Sequence, residues 1–229
     1  AGEPRFDCAV WTALQSRLLA DTTGTFTTDG PALLNVTECS HVGTGLYGNV
    51  FGALPLKDFD FGKEVDVRVG HRSRILGLDV DVSSAWYYFG VGKTGDFHAL
   101  NLRGKVGRTM PLGDSVRLGV YGIANYERSL TLGTDSLALV PGMALGWDVP
   151  IPGTPNLRLG AEGWYYPITP NPGRGPIGSF TADLGFKTKV WGAEMTIGPR
   201  VHITVGDVEG NGAKVRHAFG AFVFVPFGF

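Results

Sequence analysis

No stretch of this sequence approaches the ~18–20 consecutive apolar residues of a membrane-spanning helix. The longest apolar runs are interrupted by Gly or Pro, as between Leu137 and Trp147. Charge is scarce: Asp, Glu, Lys and Arg make up 18% of the 229 residues, against roughly a quarter in soluble domains. With a formal net charge of −1 and no clustered Lys/Arg stripe, the chain projects no field toward nucleic acid. The opening residues AGEPRFD have neither a basic start nor an apolar core, so a secretory signal is expected to be absent or already removed. There are only two cysteines, Cys8 and Cys39, too few and too far apart for a zinc knuckle. The five histidines, His41, His71, His98, His202 and His217, form no ligand pair at HxxxH spacing, and no metal or other cofactor is expected.

Helical periodicity is nearly absent as well, and alternation takes its place. From Leu78, one face carries Leu78, Val80, Val82, Ser84, Trp86 and Tyr88, and the other Asp79, Asp81, Ser83, Ala85 and Tyr87. Leu100, Leu102 and Val106 oppose Asn101, Arg103 and Lys105. Val116, Leu118, Val120, Ala124 and Tyr126 oppose Arg117, Tyr121, Asn125 and Glu127. Met195, Ile197, Val201, Ile203 and Val205 oppose Glu194, Thr196, Arg200, His202 and Thr204. Gly- and Pro-containing turn signals separate these runs, at 42–45, 71–76, 92–96, 111–114, 132–135, 150–156, 169–178 and 209–212. The spacing predicts twelve strands, at 6–20, 30–41, 46–55, 63–72, 77–89, 97–109, 115–128, 136–148, 157–168, 177–189, 193–206 and 214–229. They fill residues 1–229 as one domain, with no second domain, linker or plug.

Alternation alone fits a soluble sandwich, greasy side inward, or a membrane barrel, greasy side outward. Three features favour the barrel. The strands are long, near the ~9–11 residues a tilted strand needs to cross a bilayer. Aromatics gather near strand ends, at Trp86, Tyr88, Tyr126, Trp147, Tyr165, Phe227 and Phe229, as interfacial girdles do. Small residues, Gly104 and Gly119 among them, are expected on the polar face. In hydrocarbon an open sheet edge would cost several kcal/mol per unpaired backbone group, so the last strand must close on the first. Phe219, Ala221, Val223, Val225, Phe227 and Phe229 would then face lipid on the closing strand, and such a Phe-terminated strand resembles the assembly signal of outer-membrane proteins. The fold expected is all-β: a closed antiparallel transmembrane β-barrel of about twelve strands with short loops. An even strand count puts both termini on one side, the periplasmic one, and turns the connections 21–29, 56–62, 90–96, 129–135, 169–176 and 207–213 outward.

The stretch GPALLNVTECSHVGTGLYGNVFG (30–52), followed by KEVDVRVGH (63–71) and LDVDVSSAWYYFG from Leu78, resembles proteobacterial outer-membrane proteins of the TorF/Gcw_chp type. The resemblance covers roughly residues 30–90 and is carried by structural motifs: a Gly-Pro-Ala-Leu strand, a Gly/aromatic hairpin and a Glu-Val-Asp strand. It implies location and fold, not an activity.

Inward positions are then charged or polar on most strands. The candidate pore-lining set is Asp66, Arg68, Asp79, Asp81, Arg103, Lys105, Arg117, Glu127, Arg158, Glu162, Asp183, Lys187, Arg200 and His202, joined by Glu64, Lys189, Glu194 and Arg216. A turn near 73–74 would set Arg68 opposite Asp79; Asp81 would lie near Lys105, Lys189 opposite Glu194, and Asp183 opposite Arg200. Such charges either line a water-filled channel or neutralise one another in a nearly closed lattice. In an exported chain Cys8 and Cys39 read as one disulfide, in a cytosolic chain as two thiols; export favours the bond. A first hairpin centred at 23–24 would make them cross-strand partners, but Gln15 and Arg17 have the opposite parity to Cys8, which calls for a bulge or a later strand start. Pro141 and Pro199 fall mid-strand, where they mark bulges or local openings.

Catalytic signatures are weak. GVGKTGD (90–96) lacks the spacing of a phosphate-binding loop, no Gly-x-Ser-x-Gly elbow occurs, and His98 beside Asp96 reads as a solvated loop pair. The expected protein is therefore not an enzyme. It is a porin-like channel for small polar solutes in the bacterial outer membrane or, alternatively, a non-catalytic structural or anchoring barrel subunit of a larger envelope assembly. Its expected partners are outer-membrane lipids and lipopolysaccharide, with other envelope proteins or identical copies as further ones, and no nucleic acid.

Overall fold

The computed structural model describes residues 5–16, 18–19, 26–28, 30–57, 63–91, 95–149, 155–169, 175–206 and 214–228. These form strands β1 (Phe6–Gln15), β2 (Leu18–Leu19), β3 (Phe26–Thr28), β4 (Ala32–His41), β5 (Leu46–Pro55), β6 (Lys63–Ile75) and β7 (Leu78–Val91). Then come β8 (Gly95–Pro111), β9 (Val116–Ser129), β10 (Asp135–Asp148), β11 (Pro155–Ile168), β12 (Ile177–Val190), β13 (Ala193–Gly206) and β14 (Lys214–Gly228). Apart from the small β2–β3 ladder, every strand pairs antiparallel with its chain neighbours, and β1 pairs with β14, closing a twelve-strand barrel. The closing seam runs without a break from Asp7 opposite Gly228 to Gln15 opposite Gly220. Closure satisfies the backbone of what would otherwise be two edges.

The alternation resolves inside out. Val65, Val67 and Val69 on β6 share the outer face with Tyr88, Trp86 and Ser84 on β7, and all three valines are exposed. Val82 (59% exposed), Leu102 (56%) and Phe219 (56%) point outward as well, while Tyr87, Asn101 and Ala218 on the same three strands are buried inside. Water would not leave so many branched apolar side chains uncovered; hydrocarbon covers them. Trp86 stacks against Tyr88 and His98 on this outer face toward one end, and Trp147 lies outward near the other.

One end of the barrel carries both terminal strand ends and the connections at 42–45, 76–77, 112–115, 149–154 and 191–192; it is termed here the turn side. The other, the loop side, carries the segments at 16–31, 56–62, 92–94, 130–134, 169–176 and 207–213, much of which lies outside the described residues. Two of the turn-side hairpins are two-residue turns with both residues at positive φ: Leu76 (52°) with Gly77 (79°), and Trp191 (49°) with Gly192 (83°). This is the geometry that matches strand twist, and glycine takes its second position without strain.

Several expectations need correcting. The β6–β7 turn is at 76–77, not 73–74, so Arg68 lies opposite Ala85, and Asp79 opposite Arg74. Gly104 is on the outer face, opposite Val82 and Ala124, whereas Gly119 faces inward beside Arg117 and Tyr121. β1 ends at Gln15 instead of residue 20, held there by Ser16, whose N–H donates to the Phe219 carbonyl at 2.7 Å and whose Oγ accepts from the Phe219 N–H at 3.0 Å. The first hairpin needs no bulge. Its register runs unbroken from Phe6 opposite His41 to Gln15 opposite Ala32, and the Cys8–Cys39 disulfide sits on the outer face, so its parity differs from that of Gln15 as it should.

Neither mid-strand proline forms a bulge. Pro141 keeps its register against Gly122, and Pro199 against Ala221. Each interrupts the ladder only on its other side: pairing between β12 and β13 lapses between Asp183–Arg200 and Phe186–Ile197 and resumes in the same register. The wall stays shut there, since a Cβ on Gly198 would fall on the Leu184 carbonyl oxygen. The register shift in this region lies instead between Leu137 and Leu139, where β11 carries an extra residue next to Pro167.

Candidate functional site

All fourteen candidate pore-lining residues lie on inward-facing positions, but the lumen is not uniform along its axis. On the loop side its wall is packed. Ile123, Ala138, Val140, Trp164 and Ile177 form one apolar cluster, and Ala85, Tyr87 and Ala99 another, joined by Phe89 and Phe97. Several polar groups there are bonded within the wall. Arg68, predicted to pair with Asp79, instead donates to Ser83 Oγ and to the Tyr87 hydroxyl, each at 2.9 Å. Asn101 Nδ2 donates to Asn125 Oδ1 at 2.9 Å, and His202, only 2% exposed, bonds Ser179 Oγ at 2.8 Å. Asp66 is buried in the same half, and Glu127 faces the lumen beside it.

Toward the turn side the lumen opens and its charges meet water. Asp81 lies opposite Lys105, as expected, and accepts from the Tyr47 hydroxyl at 2.8 Å and from Arg72 Nε at 3.3 Å. Arg72 also bridges Glu38 at 2.6 and 3.0 Å, crossing the whole of β5. Glu162 accepts from the Tyr121 hydroxyl at 2.8 Å, and Lys105 stands 3.7 Å above the Tyr121 ring. Arg117 pairs with Asp148 at 2.9 Å, Lys189 with Glu194 at 3.2 Å, and Arg200 approaches Asp183 at 3.6 Å while lying over Trp11. Asp79 lines the rim with Arg72 and Arg74.

Arg158 and Lys187 also face this space but have no hydrogen-bond or ion-pair partner among the described residues. Asp183 lies opposite Arg158 in register, yet its carboxylate is turned toward Arg200.

Water-accessible space follows these groups. A cavity of about 530 Å³ at the turn side is lined by Arg117, Arg158 and Lys187 and by Trp11, Phe222 and Phe224. A second, of about 240 Å³, reaches mid-barrel between Arg103 on β8 and Arg200 on β13, with Glu162 and Ser179 in its wall. Glu38, Arg72, Tyr47, Asp148 and Trp11 also face the lumen, outside the candidate set. Strand parity carries the signal for all five, as it does for Tyr121 on the polar face of β9. Among the described residues no group of three acidic, His or Cys side chains is arranged to hold a metal.

The architecture is that of known outer-membrane barrels. The chain superposes on the KdgM porin with a TM-score of 0.51 at 11% identity, over 96% of this chain and 99% of that one. It superposes on a bacterial polysaccharide outer membrane secretin with a TM-score of 0.53 at 7% identity, over 98% of each. It also matches the transport unit of the autotransporter AIDA-I from Escherichia coli, with a TM-score of 0.51 at 11% identity over 98% of this chain and 90% of that one. At such identities the likeness is one of fold. No protein-family profile and no curated protein sequence matches the chain, so the resemblance to the TorF/Gcw_chp type rests on residues 30–90 alone.

Proposed function

We propose that this chain is a bacterial outer-membrane barrel of the TorF/Gcw_chp type that passes small polar solutes as a porin-like channel, without catalysis. The observation that carries this reading is the pair of water-accessible, charge-lined cavities inside the barrel, one at the turn-side mouth and one at the Arg103–Arg200 level. A barrel that only had to span the membrane could fill that space with side chains, as narrow barrels do. The short turns and both terminal strand ends are assigned to the periplasm, because barrels of this kind keep their short turns on the periplasmic side and their longer loops outside. Outer-membrane lipid and lipopolysaccharide then surround the greasy wall, with other envelope proteins or identical copies as further neighbours.

A second reading, a non-catalytic structural or anchoring barrel, draws on the packed loop-side half, where Tyr87 and Ile177 are each 1% exposed. Planar-bilayer recording separates the two. The refolded barrel should give discrete current steps in potassium chloride; barrels that are demonstrably folded and inserted yet carry no current would leave only the anchoring role.

A further inference from the structure

We propose that the turn-side vestibule binds small organic anions: a carboxylate carried on a ring-sized body with one apolar face. The proposal rests on the channel reading above and names its solute class. Its chemistry comes from an imbalance in the cavity wall. Four cations, Arg117, Arg158, Lys187 and Lys189, stand against three acids, Asp148, Asp183 and Glu194. Each acid is already engaged: Asp148 accepts from Arg117 at 2.9 Å and from Asn156 at 2.6 Å, Glu194 pairs with Lys189, and Asp183 faces Arg200. The surplus falls on Arg158 and Lys187, which stand on adjacent strands and point into the same water.

A guanidinium with no partner is a ready fork for a carboxylate, and the ammonium beside it adds a point charge. A cation entering the vestibule meets net repulsion, and a neutral solute leaves both groups with water alone.

The remaining wall adds shape. Trp11 on β1 and Phe222 and Phe224 on β14 present aromatic surface to a cavity of about 530 Å³, within the ~300–1,000 Å³ of small-molecule sites. Trp11 is held in place by Arg200, whose guanidinium lies 4.9 Å from the ring centroid. A ring can lay its apolar face on this surface while its carboxylate reaches Arg158 and Lys187. An inorganic anion uses only the cationic half of the site.

The test is titration calorimetry on the full-length chain, folded in detergent and checked by heat-modifiable mobility. The probes are benzoate and glucuronate, with benzyl alcohol and glucose as their neutral counterparts. Both carboxylates should bind at low ionic strength and the neutral compounds should not. R158Q/K187Q should weaken benzoate about tenfold or more, equivalent to about 1.4 kcal/mol. R158K should restore part of the loss, Trp11→Leu should weaken benzoate more than it weakens chloride competition, and R128Q on the outer face should change nothing. Equal binding of neutral and anionic probes, or wild-type affinity in R158Q/K187Q, overturns the proposal. Calorimetry needs no current, so the two readings fail separately: binding without conductance removes the channel and keeps the site, and conductance without binding does the reverse.

Discussion

Tyr47 lays its ring over Gly70 and donates its hydroxyl to Asp81 at 2.8 Å, so a side chain on β5 crosses all of β6 to reach β7. The barrel repeats the arrangement at Tyr121, whose ring covers Gly142 on β10 and whose hydroxyl reaches Glu162 on β11, also at 2.8 Å. A cation caps each ring, Arg72 at 3.9 Å and Lys105 at 3.7 Å. Each unit ties three consecutive strands together from inside, and each depends on a glycine, because a Cβ at Gly70 or Gly142 would clash with the ring.

Gly142→Val should therefore displace the Tyr121 ring and break its bond to Glu162. Overpacking of this kind costs about 1–3 kcal/mol, and Tyr121→Phe, which leaves Glu162 without its donor, about 1–3 kcal/mol as well. Urea unfolding followed by the heat-modifiable band shift reads both. The double variant should cost less than the sum of the two, since the first change already removes what the second deletes. A fully additive result would mean that ring and glycine act independently.

The inside-out wall predicts how four of the five tryptophans sense lipid. In single-tryptophan variants reconstituted with brominated lipids, Trp86 and Trp147, both outward, should be strongly quenched. Trp11 and Trp164, in the lumen, should not be. Quenching of Trp164 at the level of Trp86 would contradict the orientation of every strand.

The Cys8–Cys39 bond lies on the outer face and closes a sequence separation of 31 residues. Reduction, or a Cys8→Ser/Cys39→Ser pair, should lower stability by about 2–4 kcal/mol. Conductance and ion selectivity should be unchanged, because neither sulfur faces the lumen. A change in selectivity on reduction would place the bond inside the barrel.

Arg103 and Arg200 bound the mid-barrel cavity from opposite sides. A unit charge about 8 Å from the ion path in water acts with about 0.5 kcal/mol. Neutralising either as Arg103→Gln or Arg200→Gln should therefore shift the chloride-to-potassium permeability ratio toward the cation about two- to threefold, read from the reversal potential in a salt gradient. Arg128→Gln, on the outer face and paired with Asp135 at 3.3 Å, should leave the ratio where it was.

Most of the architecture was legible in the sequence because it depends on a local, two-residue period. Alternation placed Val80, Leu118 and Ile203 on one face and Asp81, Arg117 and Arg200 on the other, and hairpin counting set Lys189 opposite Glu194 and Asp183 opposite Arg200. A hairpin centred at 23–24 sets Cys8 opposite Cys39, as the structure has it, though parity leaves the register of that hairpin open. Counting failed only where a turn was misplaced by a few residues, as at Arg68, since every partner along a hairpin moves with its turn. What the tertiary structure decided is of another kind. Register does not say whether a lumen is packed or wet, that Arg72 would cross a strand to Glu38, or that Asp183 would turn to Arg200 and leave Arg158 facing water. Those outcomes depend on how long side chains share the space inside a closed wall. That space does not exist until the first strand meets the last.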